Sequence, residues 1–188
     1  MRIALDAMGT DLAPEPEVSG ALAALEQLDP DIEIVLVGDE RVVREELAKQ
    51  GSFPTRLSVH DAPDRVTAAD APASVMRRKP DSSLVVGLKM HQEGAVDAFV
   101  SAGSTGAIMA TSLFTLRPLP GVARPAVATP LPTVAGPCLL IDSGANVDCK
   151  PQHLVQFAHL GSVYARDTME LERPRVALLN IGEEPEKG

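Results

Sequence analysis

Residues 95–107 read Ala-Val-Asp-Ala-Phe-Val-Ser-Ala-Gly-Ser-Thr-Gly-Ala, and after them Ile108, Met109, Ser112, Leu113 and Leu116 recur on one face of a helical pattern. An apolar, β-rich run that passes through a glycine-bearing turn straight into a helix is the repeating unit of a parallel α/β sheet. Toward the N-terminus the same rhythm returns. Arg2 to Ala7 predicts a strand; Pro14 and Pro16 suit a helix entrance, and Val18, Ala21, Leu22, Leu25 and Leu28 mark one buried helix face. Ile32 to Val37 predicts a second strand ending at Gly38-Asp39, and Val42, Val43 and Leu47 a helix that reaches Gly51. Arg56 to His60 predicts a third strand. Asp61 to Pro72 is acidic, bounded by proline and without periodicity, so it reads as a surface excursion, either a lid or a loop. Beyond it Asp81, Ser82 or Ser83 can cap a helix running to about Glu93.

Toward the C-terminus Pro118 and Pro120 end the helix that follows residue 107. Pro125 to Pro132 is extended, an edge or an antiparallel arm on account of its prolines. Cys138 to Asp142 predicts a strand entering Ser143-Gly144-Ala145-Asn146, followed by a helix from about Gln152 to Arg166 and a strand from Arg175 to Asn180. Together these elements predict one α/β domain over residues 1–188, an α/β/α sandwich with a mainly parallel sheet. The last strand runs into a turn that should feed a further element, so the expectation is a chain truncated at its C-terminus, the N-terminal part of a longer fold.

Composition narrows the function. Hydrophobic residues make up 45% and charged residues 23%, which is globular, and 17 basic against 26 acidic side chains leave a net charge of −9. That charge opposes a polyanion, and four Phe, one Tyr and no Trp offer few surfaces for stacking bases, so no nucleic-acid partner is expected. Asp6 interrupts the apolar run that a secretory leader needs, and the uncharged stretch from Ala98 to Leu116 is too rich in Ser, Thr and Gly to span a bilayer. The expected location is cytoplasmic, with a peripheral position at a membrane as a further option. Cys138 and Cys149 have neither redox nor metal spacing, and His60, His91, His153 and His159 lack ligand spacing. No Gly-x-Ser-x-Gly elbow or His-Glu-x-x-His helix occurs, so no metal and no cofactor are expected.

The carboxyl ends of parallel strands form the usual ligand crevice, which directs attention to the turns after them. Those turns are Asp6 to Asp11, Ser101 to Ala107, Asp142 to Asn146 and Asn180 to Glu184, all small, polar and glycine-bearing. In the second, Gly103, Ser104, Thr105 and Gly106 lead into a helix whose free N–H groups attract an oxyanion, although Ser104 and Thr105 serve equally as ordinary caps. Asp6 and Asp11 either act as a base or hydroxyl-orienting group or cap a turn. Asn146 and Asn180 either donate to a carbonyl or phosphate oxygen or shape their turns, and Lys187 is either a charge partner or a solvated surface residue. No Walker pattern and no Gly-x-Gly-x-x-Gly is present, so a nucleotide is not indicated.

Seven blocks stand in order along the chain: Asp-Ala-Met-Gly-x-Asp-x-Ala-Pro (6–14), Leu-Val-Gly-Asp (36–39), Arg-Arg-Lys-x-x-Ser-Ser (77–83), Ser-Ala-Gly-x-Thr-Gly-Ala (101–107), Arg-Pro-Ala (124–126), Gly-Ala-Asn-Val-Asp (144–148) and Leu-Leu-Asn-x-Gly-x-Glu (178–184). With them the sequence resembles the bacterial phosphate acyltransferases of phospholipid synthesis, whose members continue well beyond the equivalent of Gly188. The resemblance implies a fold like that of phosphotransacetylases and isocitrate dehydrogenases, a metal-free homodimer, and transfer of a fatty acyl group from acyl carrier protein to inorganic phosphate. A membrane glycerol-phosphate acyltransferase would then use the acyl phosphate. It further implies a phosphate cradle at Gly103, Ser104, Thr105 and Gly106 with Asp6, Gly9 and Thr10 beside it. Asn146, Asn180 and Lys187 would then lie near the reacting centre, with Lys187 as the charge partner. Arg77, Arg78 and Lys79 form either a patch for the acidic carrier or a solvated helix start. Three positions depart from the family pattern. Thr10 stands in place of a glycine, where a positive φ would strain a β-branched residue and the loop is expected to differ. Ser104 replaces a common Asn, and Ser143 replaces an apolar residue. Two other readings remain open: a short-chain phosphotransacylase using coenzyme A, and a non-catalytic anion-binding or dimerising module.

Overall fold

The structure, a computed structural model, describes residues 1–51, 53–180 and 182, which form two compact units, Met1–Arg117 and Pro118–Gly188. In the first, β1 (Arg2–Asp6) leads through α1 (Glu15–Gln27) to β2 (Glu33–Gly38), then through α2 (Glu40–Gln50) to β3 (Leu57–Asp61). A 3₁₀ turn at Pro72–Ser74, α3 (Val75–Arg78) and α4 (Ser83–Gln92) carry the chain to β4 (Ala98–Val100), from which α5 (Thr105–Thr115) follows. The four strands are all parallel, in the order β3-β2-β1-β4. The chain therefore steps one way from β1 to β3 and then crosses back to place β4 on the other side of β1. Such a reversal opens a crevice at the carboxyl ends of the two strands that flank it.

Strand β2 explains the layering. Its side chains alternate between faces: Ile34 and Leu36 join Val18, Leu25, Val43 and Leu47 on one side, and Val35 and Val37 join Ala4, Met90 and Val96 on the other. A strand buried on both faces needs helices on both, and α1 and α2 cover one side while α4 covers the second. Of the caps, the one on α4 is among those the sequence offers, and the one on α2 comes from the structure. Asp39 accepts a hydrogen bond from Val42 N at 3.0 Å to start α2, and among the three candidate caps of α4 it is Ser82 that accepts from Val85 N. Gly87 of α4 faces Phe99 of β4 so closely that a Cβ would overlap the ring.

Two expectations need correction and one is narrowed. The buried line of α5 is Ala107, Thr111 and Thr115, whereas Leu113 and Leu116 are exposed. The small residues allow α5 to lie close to α4 and to the turn at Pro72, which sits 3.2 Å from where a Cβ on Gly106 would be. Next, the 61–72 excursion is tied down along its length, as described below. Finally, residues 175–180 form no strand: they are exposed, with no strand pairing among the described residues, because an apolar run becomes a strand only where a neighbour accepts its ladder.

In the second unit β5 (Ala128–Thr133) and β6 (Gly136–Ile141) pair as an antiparallel hairpin, and α6 (Pro151–Thr168) packs on β6, with Gly161 facing Ile141 and Leu139 and with Phe157 and Ala165 buried. The arm read from the prolines is thus β5, with Pro130 and Pro132 on a strand that among the described residues pairs with β6 alone. Both cysteines are free thiols. Among the described residues no helix is long and apolar enough to cross a membrane.

Candidate functional site

At the switch between β1 and β4 one carboxylate joins two turns. Asp6 ends β1 and is only 3% exposed. Its Oδ1 accepts from Met8 N at 3.0 Å, and its Oδ2 accepts from the Ser101 hydroxyl, just beyond β4, at 2.7 Å. Ser101 Oγ in turn accepts from Gly103 N at 3.1 Å. Asp6 therefore caps its own turn and also bonds to the next strand's turn. The same crowding explains Gly9: a Cβ there would lie 3.0 Å from Asp6 Oδ2 and 3.0 Å from Gly103 N. Thr10 is not among the residues with positive φ, so the strain expected from its β-branch is absent. Its N–H donates to Glu17 Oε1 at 2.9 Å and its carbonyl accepts from Ala13 N and Arg65 Nη2.

The amides of Met8, Thr10 and Gly103 are engaged inside the turns, whereas those opening α5 are not. The N–H groups of Thr105, Gly106 and Ala107 donate to nothing among the described residues, and the Ser104 side chain makes no capping bond. Ser104, Thr105 and Gly106 are exposed, so the hydroxyls stand free beside those amides. Free amides, two hydroxyls and the positive end of a helix dipole are groups that attract an anion. Next to Ser101 an open groove of about 580 Å³ runs along the outer edge of β4, walled by Leu88, Phe99, Ile108 and Leu116.

The excursion after β3 reaches this site, which its lack of periodicity did not signal. Arg65 Nε donates to Met8 O at 3.1 Å and Nη2 to Thr10 O. Lys79 Nζ donates to Arg65 O and to Asp70 Oδ2, each at 2.7 Å, and is therefore an internal tether and not part of an open basic patch. Arg77 and Arg78 remain exposed. The Lys79 ammonium, with bonds from Thr67 N and Oγ1, holds the Asp70 carboxyl down at about 2 from 3.8. Because the folded value is depressed, the tether's contribution is complete above about pH 4 and is lost as pH falls through about 2. Limited proteolysis across that window should show cleavage within 64–79 increasing toward pH 2, and Asp70→Asn should be cleaved readily throughout.

In the second unit, Asp142 Oδ1 accepts from Val127 N at 2.9 Å and Ala145 N at 3.2 Å, and Oδ2 from Asn146 N at 2.7 Å and Asn146 Nδ2 at 3.0 Å. Burial raises the Asp142 pKa, but these donors outweigh it and the net direction is down. Asn146 Nδ2 also donates to Pro125 O at 2.9 Å, so both its hydrogens are engaged within the turn. Ser143 Oγ lies 2.6 Å from Thr129 Oγ1, which gives its hydroxyl a partner on β5. Asn180 Oδ1 accepts from Gly182 N at 2.8 Å, as a turn former does. Lys187 lies outside the described residues. Glu17 and Arg65 were not legible as site residues: neither falls in a strand-end turn, and no spacing rule links them to Thr10.

A family model described as "Fatty acid synthesis protein" matches residues 1–188. A phosphate acyltransferase of Salinibacter ruber (strain DSM 13855 / M31) is 49% identical over 188 residues, covering 100% of this chain and 56% of its own length. A phosphate acyltransferase of Desulfitobacterium hafniense (strain Y51) is 50% identical over 188 residues, covering 100% and 55%. The chain thus spans about half the length of the curated relatives it matches. Among solved structures, EutD phosphotransacetylase from Staphylococcus aureus aligns with a TM-score of 0.62 at 20% identity, over 88% of this chain and 52% of its own. A phosphotransacetylase from Streptococcus pyogenes aligns with a TM-score of 0.60 at 20% identity, over 84% and 51%. At that identity the likeness is one of fold, an α/β architecture with a parallel sheet.

Proposed function

Since the chain belongs to the fatty acid synthesis protein family, we propose that the protein transfers a fatty acyl group from acyl carrier protein to inorganic phosphate. The observation that carries the reading is the open start of α5, held against the β1 turn by the Asp6–Ser101 hydrogen bond. Hydrogen phosphate is already an anion near neutral pH, so no residue has to generate the nucleophile. A phosphate oxygen attacks the thioester carbonyl carbon, the carbon–sulfur bond breaks, and the departing thiolate takes the proton that phosphate loses. The site's task is to hold phosphate in reach and to favour the charge that grows on the carbonyl oxygen. The α5 amides with Ser104 and Thr105 hold phosphate, while Asp6 and Gly9 keep the neighbouring turn in place.

The remaining assignments are those the resemblance implies. Lys187 is the cation for the reacting groups, and Asn180 helps to orient them. Asn146 shapes its turn through Asp142, since its two amide hydrogens are engaged there. Arg77 and Arg78 meet the acidic carrier, and the working unit is a homodimer whose product a membrane glycerol-phosphate acyltransferase consumes. The test is acyl-phosphate formation from acyl carrier protein thioester and phosphate by the protein at its full natural length. Lys187→Ala is expected to lower the rate about 100-fold, and an unchanged rate removes Lys187 from this role. Turnover with short-chain coenzyme A thioesters and none with the carrier would replace the reading by that of a phosphotransacylase, and phosphate-dependent stabilisation without turnover by that of an anion-binding module.

A further inference from the structure

We infer that Arg65 is a positioning residue for the phosphate site, acting through the backbone carbonyls of Met8 and Thr10. Its use in catalysis rests on the acyl-to-phosphate reading, whereas its geometry stands on the first unit alone. The two carbonyls it bridges flank Gly9, the residue whose backbone meets Gly103. A planar guanidinium that donates to both sets the separation between them, which a single ammonium on a flexible stem does not do.

Charge points the same way. Asp6 and Glu17, 3% and 6% exposed, both bond to this turn and both oppose a bound anion. Glu17 Oε2 and Thr10 Oγ1 are buried without a hydrogen-bond partner among the described residues, and what favours the Glu17 carboxylate is the Thr10 amide on Oε1 and its place in the first turn of α1. Among the described residues Arg65 is the cation hydrogen-bonded to the turn. It is itself held: Lys79 Nζ donates to its carbonyl at 2.7 Å, and the neighbouring Asp64 forms a parallel bridge with Ser82 at the start of α4. The excursion from Asp64 to Lys79 is thus a strap that presents one guanidinium to the first turn.

The experiment compares Arg65→Ala and Arg65→Lys with the wild type at full natural length, by steady-state kinetics and by phosphate-induced thermal shift. Both variants should raise the KM for phosphate about tenfold or more while the KM for the acyl carrier thioester stays unchanged. They should also lose most of the thermal shift. Arg65→Lys keeps the charge, so its failure to restore the phosphate KM marks the bidentate fork as the part that matters. A phosphate KM unchanged in both variants overturns the inference, as does a parallel rise in both KM values, the mark of general loosening. Should the wild type make no acyl phosphate yet be stabilised by phosphate, loss of that shift in the variants supports Arg65 while the acyl-transfer reading falls. A variant stabilised by phosphate as strongly as the wild type overturns the role of Arg65 whatever the activity.

Discussion

Replacing Gly9 by valine is expected to reduce the proposed acyl-phosphate formation about 100-fold or more while the chain still folds. Even the first added carbon would lie 3.0 Å from both Gly103 N and Asp6 Oδ2, and a branched side chain adds two more in the same space. The β1 and β4 turns must then separate, which breaks the Asp6–Ser101 hydrogen bond now at 2.7 Å and shifts the entrance to α5. A displacement of about 1 Å in groups that hold a reactant is enough for a loss of that size. Activity and thermal melting of the same preparation decide the matter. Rates near wild type in a folded Gly9→Val protein would mean that the two turns need not touch.

Leu36→Ala is expected to remove about 3 kcal/mol of stability, read from urea unfolding followed by far-UV circular dichroism. Leu36 is 0% exposed in the middle of β2 and packs in the cluster that also holds Val18, Val43 and Leu47. Neighbours on a sheet and on two helices cannot collapse into the space it leaves, so the cavity cost adds to the lost transfer energy. Against a typical total of about 5–15 kcal/mol that is a large fraction, and the transition should move well toward lower urea. A loss below about 1 kcal/mol would show that the layer between β2 and α1 is loosely packed.

Much of the first unit could be read from residue order. The unbroken apolar run Ile34 to Val37, the periodic Val18, Ala21 and Leu25, and the cap at Ser82 are local signals, each of which names its element without help from distant chain. Two readings failed where a neighbour decides. In α5 a large-residue face looked like the core, but the close approach of α4 and Pro72 selects the small face. At 175–180 the β-forming composition was present, yet a strand exists only when another strand supplies its hydrogen bonds. The candidate site divides the same way: Asp6, Gly9 and the 103–106 turn are visible because they follow strands, whereas Arg65 and Glu17 join it through contacts that span 55–57 and 7 residues of chain.

What the amino-acid order determined by itself was the alternation of strands and helices, the family, and which turns carry small polar residues, because these depend on neighbours along the chain. Folding decided that Asp6 bonds across to Ser101, that Arg65 grips the first turn, and that the hydrogens of Asn146 are engaged internally. Those outcomes rest on which donors and acceptors meet once the sheet has brought separated segments within about 3 Å of one another, and hydrogen bonds of that reach leave no trace in sequence spacing.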